Sequence, residues 1–192
     1  MPVTLEIAPA RAADTAAIAD MSRRLVEVGL PWTWTPARVA RHLHHPDSLV
    51  IAARMTAGNA TPAAFAIMHF GDEIAHLNLL AVHSRWQRRG LGRRLMLWLE
   101  HTAITAGTFT MSLEVRARNP VALLFYRALG FEETGRVPRY YSGREDALRL
   151  AKDLRHPMAP GEPATTNDGT TALPSAPEWL AALLDKPASG HQ

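Results

Sequence analysis

The stretch from Leu80 to Arg94 constrains the fold of this chain more than any other, because it joins an apolar run to an amphipathic segment through two glycines. Residues 76–82, His-Leu-Asn-Leu-Leu-Ala-Val, have the length and composition of a buried strand. Residues 91–101 carry leucine, methionine and tryptophan at helical spacing. Between them, Gln87-Arg-Arg-Gly-Leu-Gly92 permits a tight turn. The sequence therefore predicts a strand–loop–helix unit at its centre.

The loop of this unit has the properties of an anion-binding site. Free N–H groups at a helix start point out of the turn, at the positive end of the helix dipole, which suits phosphate or pyrophosphate. Four arginines surround it, namely Arg88, Arg89, Arg93 and Arg94. The alternative is a basic connection between a strand and a surface helix. The loop is neither a dinucleotide fingerprint, since the third glycine and the later acidic residue are missing, nor a P-loop, since no Gly-Lys-Ser/Thr follows.

Composition excludes several classes of protein. The 192 residues suffice for one domain with a substantial core. Cysteine is absent, which excludes disulfides, thiolate catalysis and Cys-based zinc sites. Since neither a long apolar run nor a signal peptide is visible, we expect no membrane association and a cytoplasmic location. The net charge of +3 comes almost entirely from arginine, which suits an anionic cofactor or an acidic partner, and no nucleic-acid-binding module is recognisable.

Periodicity and turn residues predict the order β-α-α-β-β-β-α-β-α-β-β. The predicted strands are residues 3–8, 49–55, 63–70, 76–82, 110–116, 131–137 and 146–152. The predicted helices are residues 15–28, 36–44, 91–106 and 121–129, with Asp14, Thr35 and Asn119 as N-caps. This order predicts a mixed sheet with helices on both faces, an α/β or α+β fold. The two strands that flank the central helix should run parallel.

The composition changes after Arg155. Residues 1–155 form the predicted domain, and residues 156–175, rich in Pro, Gly, Ala and Thr, are typical of a linker. Residues 176–192 form a tail with a short amphipathic helix over 176–186. Because an isolated helix of that length is marginal, we expect its apolar stripe to dock on its own domain, on a second subunit or on a partner.

Several motifs occur together in the order of a known family. Gln-x-x-Gly-x-Gly after an apolar strand resembles the acetyl-CoA pyrophosphate loop of the GNAT N-acetyltransferases. Three further stretches of this chain resemble the second half of that fold, namely Ser112-Leu-Glu-Val-Arg116, Asn119-Pro-Val-Ala-Leu-Leu-Phe-Tyr126 and Ala128-Leu-Gly-Phe131. The stretches Arg136-Val-Pro-Arg-Tyr-Tyr141 and Gly143-Arg-Glu-Asp-Ala147 resemble the bacterial ribosomal-protein-alanine N-acetyltransferase branch, which acetylates protein N-termini. The resemblance covers about residues 3–154 and implies a mostly antiparallel mixed sheet, flanked by helices, with a parallel strand pair splayed around the cofactor.

The resemblance implies two catalytic residues. Transfer from acetyl-CoA to an amine needs a group that takes the amine proton and one that protonates the CoA thiolate. The resemblance assigns these roles to Glu114 and Tyr126. From the residues alone, Glu114 could instead pair with Arg116 or another arginine, and Tyr126 could be a core aromatic residue. Glu73 and His76 are the fallback bases.

The resemblance also implies binding residues. The cofactor set is Leu80, Ala81, Val82, Arg88, Arg89, Gly90, Leu91, Gly92, Arg93 and Asn119. Backbone groups of the first three would hold the pantetheine arm like an added strand, and one N–H there would stabilise the oxyanion. By resemblance, Tyr140 and Tyr141 flank the acceptor groove, although they could instead form a turn with two packed rings. Trp32 is a third candidate because it lies in an aromatic loop that could line the groove, but packing of the loop tryptophans on the core is the favoured interpretation. The cluster of His42 and His45 is interpreted as a solvated helix end, so no metal is expected.

The expected function is acetyl transfer from acetyl-CoA to a primary amine, by direct attack in a ternary complex. The expected acceptor is the N-terminus of a protein or peptide, with a ribosomal protein as a candidate, and the chain would act as a monomer or homodimer. One alternative is an acetyltransferase for a small amine or an antibiotic. Another is a non-catalytic domain that senses acetyl-CoA.

Overall fold

A computed structural model describes residues 5–55 and 61–155, and within these ranges the chain forms a seven-stranded sheet and four α-helices. The strands are β1 Leu5–Pro9, β2 Ser48–Met55, β3 Ala64–Phe70, β4 Ile74–Val82, β5 Thr110–Arg116, β6 Glu132–Tyr141 and β7 Glu145–Asp153. The helices are α1 Thr15–Leu25, α2 Pro36–His44, α3 Leu91–Thr105 and α4 Pro120–Ala128. The order of elements is the predicted one. The predicted linker 156–175 and tail 176–192 lie outside the described residues.

The sheet is antiparallel except for one pair of strands. Its strand order is β1-β2-β3-β4-β5-β7-β6. Only β4 and β5 run parallel, among the strands that the structure describes. Both the mixed, mostly antiparallel sheet and its parallel pair are therefore confirmed. None of the described helices is long and apolar enough to cross a membrane.

The parallel pair separates soon after it forms. Pairing between β4 and β5 ends at Leu77 and Leu113. On the other side of β4, Met68 pairs with Leu77 and Ile67 with Leu79, so Asn78 is the extra residue of a β-bulge. A bulge bends its strand and increases the local twist. The bend at Asn78 therefore accompanies the opening of a wedge between β4 and β5.

The core lies on both faces of the sheet. On one face, α1 and α2 pack against β2, β3 and β4 through a buried cluster that includes Ile18, Ala19, Val39, Val50, Phe65 and Ile67. The alternate residues Ile51 and Ala66 are also fully buried and point to the opposite face, because successive side chains of a strand alternate. Helix α3 contacts β2 to β5 and buries Leu95, Met96 and Leu99.

Helix α1 is shorter than predicted. It ends at Leu25 rather than Val28, and Gly29 follows with a φ of 75°. Ile18 and Met21 are buried as expected, whereas Leu25 and Val28 are 37% and 57% exposed. The helix stops here because the side chain of Glu27 turns inward and binds the following loop, an interaction that periodicity cannot reveal.

Asp14 does not cap α1. Its carboxylate accepts a hydrogen bond of 2.6 Å from the Arg11 backbone N–H and forms an ion pair with Arg54 of β2. Both side chains are buried. The buried guanidinium of Arg54 requires a counter-charge. Asp14 supplies it, so its carboxylate is not available to cap α1 as the sequence predicted.

The last hairpin is tighter than predicted. Strand β6 continues to Tyr141, which pairs with Glu145, so that residues 142–144 form the link. An irregularity between Val137 and Tyr141 absorbs the extra length. There Arg139 has a φ of 53° and donates its backbone N–H to the Asp146 carboxylate at 2.8 Å. The pairing therefore extends through a segment whose sequence resembles a loop.

Candidate active site

The wedge between β4 and β5 opens into a cavity of about 500 Å³. This volume lies in the range of roughly 300–1,000 Å³ that is typical of small-molecule and cofactor sites. Four parts of the chain line the cavity: the parallel strands β4 and β5, the segment from α1 to α2, helix α4 with its cap, and the last hairpin. The strands contribute His76, Asn78, Leu80, Glu114 and Arg116, and the segment from α1 to α2 contributes Glu27, Val28, Trp34 and Arg38. The remaining lining residues include Asn119, Ala122 and Tyr126 of α4 and its cap, and Tyr140 and Tyr141 of the hairpin. The cavity thus joins the predicted catalytic residues to two of the three candidate acceptor residues.

The glycine loop follows β4 directly. Gly90 has a φ of 79°, a conformation that disfavours residues with a side chain, and α3 begins at Leu91 without a side-chain cap. The first hydrogen bond of the helix runs from the Arg94 N–H to the Gly90 carbonyl, at 3.0 Å. The N–H groups of residues 91–93 therefore stay directed towards the loop. The Gln87 side chain donates to the Val82 carbonyl at 3.0 Å and ties the loop to the strand. This arrangement suits an anion, as predicted.

Gly92 lies against α4. A Cβ atom there would lie 3.2 Å from Cζ of Phe125 and 3.7 Å from Cγ2 of Val82. The missing side chain lets the start of α3 approach both the end of β4 and the face of α4. The two positions therefore require glycine for different reasons: Gly90 for its backbone conformation and Gly92 for the close packing around it.

Glu114 is the centre of a polar cluster. Its side chain is 10% exposed, Arg149 Nε donates to Oε1 at 3.0 Å, and Nε2 of His76 lies 3.1 Å from Oε2. The other ring nitrogen of His76 lies 3.0 Å from the Ser112 hydroxyl. Of the two fallback bases, His76 belongs to this cluster, whereas Glu73 is exposed in the connection before β4.

The protonation of His76 follows from its surroundings. Burial lowers the pKa of His76, and the carboxylate of Glu114 opposes that shift only in part. The imidazole is therefore neutral at pH 7 and carries one ring N–H. Because the carboxylate oxygen can only accept, Nε2–H donates to Glu114 and Nδ1 accepts from Ser112. His76 and Arg149 thus hold the Glu114 carboxylate in place.

Arg116 does not pair with Glu114. Its guanidinium binds Glu145 at 2.6 Å and donates to the Val28 carbonyl at 2.8 Å. The arginine that pairs with Glu114 is Arg149, which lies opposite it in the β5–β7 ladder. Sequence reasoning missed Arg149, because the signal, a glutamate and an arginine on two different strands, depends on a register that the sequence does not show.

Tyr126 packs among aromatic side chains and also lines the cavity. Its ring packs against Phe125 and Phe131, with centroids 5.1 and 5.7 Å away. It is 8% exposed and lines the cavity. Burial raises the pKa of the phenol, and the nearby Tyr141 raises it further. The hydroxyl is therefore protonated at pH 7, as a proton donor must be.

Glu27, which sequence reasoning missed, organises the loop between α1 and α2. It is 7% exposed and accepts hydrogen bonds from the backbone and hydroxyl of Thr33, both at 2.7 Å, and from the Ser22 hydroxyl at 3.2 Å. The loop places Trp34 against the cavity, buried to 8% exposure. Trp32 lies outside the cavity lining and is 40% exposed, with Arg23 over its ring.

The last hairpin forms the opposite wall. The rings of Tyr140 and Tyr141 meet edge-on at 5.0 Å, and both residues line the cavity. The Tyr141 hydroxyl donates to the Glu114 backbone carbonyl at 3.3 Å. Burial raises the pKa of both phenols, so both are neutral at pH 7.

Two further predictions concern helix ends. The Asn119 side chain accepts from the Ala122 N–H at 3.1 Å, which confirms it as the cap of α4. His42 is not a solvated end, because its ring lies 4.9 Å from Trp34 and its Nδ1 lies 3.0 Å from the Ser48 hydroxyl. Within residues 5–55 and 61–155, no group of three or more His, Asp or Glu side chains is arranged to hold a metal ion.

Comparison with known proteins identifies the family. Residues 18–131 match the model of the Acetyltransferase (GNAT) family. The [Ribosomal protein bS18]-alanine N-acetyltransferase of Salmonella typhimurium is 44% identical over 92 residues, which cover 46% of this chain and 62% of that protein, so the chain spans less than two thirds of this relative. The N-alpha-acetyltransferase RimI of Mycobacterium tuberculosis is 33% identical over 129 residues, 65% of this chain and 78% of that protein.

A solved structure supports the same family. The crystal structure of the ribosomal-protein-S18-alanine N-acetyltransferase from Escherichia coli superposes with a TM-score of 0.68 at 31% identity, covering 85% of this chain and all of that one. Since the family model matches more than half of the chain, this protein belongs to the GNAT acetyltransferase family, and the resemblance seen in its motifs is confirmed.

Proposed function

We propose that this protein transfers the acetyl group of acetyl-CoA to the N-terminal amine of a protein, by direct attack in a ternary complex. The observation that carries the proposal is a cavity at the wedge between β4 and β5 that Glu114 and Tyr126 both line. The chain continues from β4 into the glycine loop and α3. The names of the relatives support an N-terminal acceptor, with a ribosomal protein as the candidate. A cytoplasmic location belongs to the same proposal.

The chain offers groups for the pyrophosphate, the pantetheine arm and the oxyanion of acetyl-CoA. The free N–H groups at the start of α3, with Arg88, Arg89 and Arg93, would hold the pyrophosphate. Beyond Leu77, β4 has no described partner strand on the side of β5, so the backbone of Leu80–Val82 would pair with the pantetheine arm. A backbone N–H in this segment would also stabilise the oxyanion. The bound co-substrate supplies an activated acyl group.

Glu114 would take the proton of the amine. An α-amino group has a pKa of about 7.7–8.0, so much of it is protonated at pH 7 and cannot attack. The carboxylate keeps lone pairs that neither Arg149 nor His76 uses. The ammonium form would first release one proton to solvent. Glu114 would then accept one proton from the attacking neutral amine as the nitrogen–carbon bond forms, while Arg149 and His76 keep the carboxylate oriented.

Tyr126 would donate a proton to the leaving sulfur as the carbon–sulfur bond breaks. The phenol holds its proton at pH 7, since burial raises its pKa, yet a thiolate that forms beside it accepts a proton readily. The amine loses one proton to Glu114 and the sulfur gains one from Tyr126, so the transfer is balanced. Proton exchange between these residues and solvent restores the starting state.

We expect Tyr126→Phe to lower kcat by about 10²-fold, the lower end of the range for general acid catalysis. The phenylalanine keeps the ring contacts with Phe125 and Phe131, so the midpoint of thermal unfolding and the Kd for acetyl-CoA should stay close to their wild-type values. Steady-state CoA release and a binding titration measure the two effects. An unchanged kcat would remove the acid role of Tyr126.

The charges of the cavity bear on the alternative acceptors. A polyamine or an aminoglycoside would need carboxylates that are free to bind ammonium groups. Such an acceptor carries further ammonium groups beside the one that would react at Glu114. Among the cavity-lining residues, the remaining carboxylate is Glu27, which already accepts from the hydroxyls and N–H groups of its own loop. This arrangement favours a peptide acceptor over a polycationic amine.

The test is CoA release from acetyl-CoA with a panel of peptides that differ in their first residue, beside a polyamine and an aminoglycoside. We expect turnover on peptides that begin with alanine or serine, and mass spectrometry should place the acetyl group on the α-amine. Turnover only on the small amines would replace the proposed acceptor and keep the mechanism. Binding of acetyl-CoA with no turnover on any amine would favour a sensing domain.

A further inference from the structure

Arg38 occupies an unusual position in the cavity. It lies in the first turn of α2 and contributes to the cavity lining. Its guanidinium carbon lies 4.1 Å from the centre of the Trp34 ring, and that ring is buried. Stacking on an aromatic face orients the planar guanidinium while leaving its N–H donors at the edge. Arg38 is therefore a cation with a defined orientation.

The other charges of the lining are compensated. Arg116 pairs with Glu145, Glu114 binds His76 and Arg149, and Glu27 binds its own loop. In contrast, the guanidinium of Arg38 forms no ion pair and no hydrogen bond with any residue in the described ranges 5–55 and 61–155. Arg38 thus leaves one uncompensated positive charge on the wall of the cavity.

Arg38 lines the same cavity as Tyr140 and the proposed base Glu114. The charges of Glu114 and Arg38 both act on the Tyr140 phenol, the first raising its pKa and the second lowering it. An extended peptide advances about 3.3–3.6 Å per residue. A peptide whose amine lies at Glu114 and whose chain passes Tyr140 therefore brings its second or third side chain towards Arg38.

We propose that Arg38 selects acceptors that carry an aspartate or glutamate side chain near the N-terminal amine. The inference rests on the proposed function and specifies its substrate class. A carboxylate can accept two parallel N–H bonds from a stacked guanidinium, whereas an amide accepts more weakly and a lysine ammonium is repelled. Arg38 is a specificity residue in this scheme, since the reacting atoms lie at Glu114 and Tyr126.

The experiment compares peptides that begin with alanine and carry Asp, Asn or Lys at the second or third position, with an otherwise identical sequence. For the wild-type protein, we expect kcat/KM for the better-placed Asp peptide to exceed that of its Asn counterpart about tenfold, mainly through KM. Arg38→Gln should remove the preference, and Arg38→Glu should transfer it to the Lys peptide. High salt should weaken it.

Arg41→Gln is the matched control. Arg41 lies on the same helix, is exposed and does not line the cavity, so its loss removes the same charge and should leave the preference unchanged. Thermal unfolding of all variants verifies that they are folded. Equal kcat/KM for the three peptides, or a preference for Asp that survives Arg38→Gln, would overturn the inference.

Failure of the proposed function has a different signature. In that case no peptide is acetylated, although acetyl-CoA binds. Calorimetric titration of the same peptides into the CoA-loaded protein then tests the preference directly, because the contact with Arg38 requires binding and no chemistry. Tighter binding of the Asp peptide that is lost in Arg38→Gln would support the inference, and equal affinities would refute it.

Discussion

Glu114→Gln is expected to lower kcat by about 10²–10⁴-fold, the contribution that a general base commonly makes. The amide has nearly the shape of the carboxylate, and its oxygen can still accept from Arg149 or His76. It cannot take a proton from the amine at neutral pH. Steady-state CoA release with an alanine-led peptide measures kcat, and a binding titration should return a Kd for acetyl-CoA near the wild-type value.

Loss of a partly buried carboxylate also lowers stability, so the experiment needs a control for that effect. Glu100→Gln provides it, since the Glu100 side chain is 12% exposed and pairs with Lys152 at 2.8 Å, away from the cavity. Both variants should unfold at lower temperature, because each leaves a cation without its partner. Only Glu114→Gln should lose turnover. Equal loss of kcat in the two variants would show that Glu114 acts through stability alone.

Gly90→Val is expected to raise the Kd for acetyl-CoA at least about 100-fold. A valine at a φ of 79° is strained, and the loop relieves that strain by turning its backbone away from the present conformation. The N–H groups at the start of α3 then no longer converge on one anion. Titration of acetyl-CoA by calorimetry or fluorescence measures the loss.

Gly107→Val separates the loss of the anion site from general strain. Gly107 follows the other end of α3 with a φ of 80°, and like Gly90 it has no atom within 4 Å of an added Cβ. The two variants should therefore lose a similar free energy of unfolding, of about 1–2 kcal/mol. Only Gly90→Val should lose affinity. Wild-type affinity in that variant would contradict the assignment of the loop to the pyrophosphate.

Local features of the sequence were sufficient to predict the order of the strands and helices. The caps Thr35 and Asn119 act within three residues of their position, and Gly90 turns the backbone within one residue, so neither depends on distant parts of the chain. The strand–loop–helix unit at Leu80–Arg94 was visible for the same reason. Through the family motifs, it also led to the cavity residues Glu114 and Tyr126.

The partners of these residues follow from the fold of the whole chain. Arg149 reaches Glu114 only because β5 and β7 pair in one register, and His76 reaches it only across the β4–β5 pair. Likewise, the bulge at Asn78 and the ion pair of Asp14 with Arg54 join segments that are distant in the chain. Such contacts depend on register and burial, which periodicity does not encode.

The acceptor wall shows the same division. Composition and turn residues are local properties, so the sequence alone predicts that an aromatic loop follows α1 and that two tyrosines precede the last turn. Only the folded chain decided that Trp34 rather than Trp32 lines the cavity, since the buried Glu27 sets the path of the loop. It also places Arg38 on that ring with no counter-charge among residues 5–55 and 61–155, because compensation of a charge depends on which side chains the fold brings within reach.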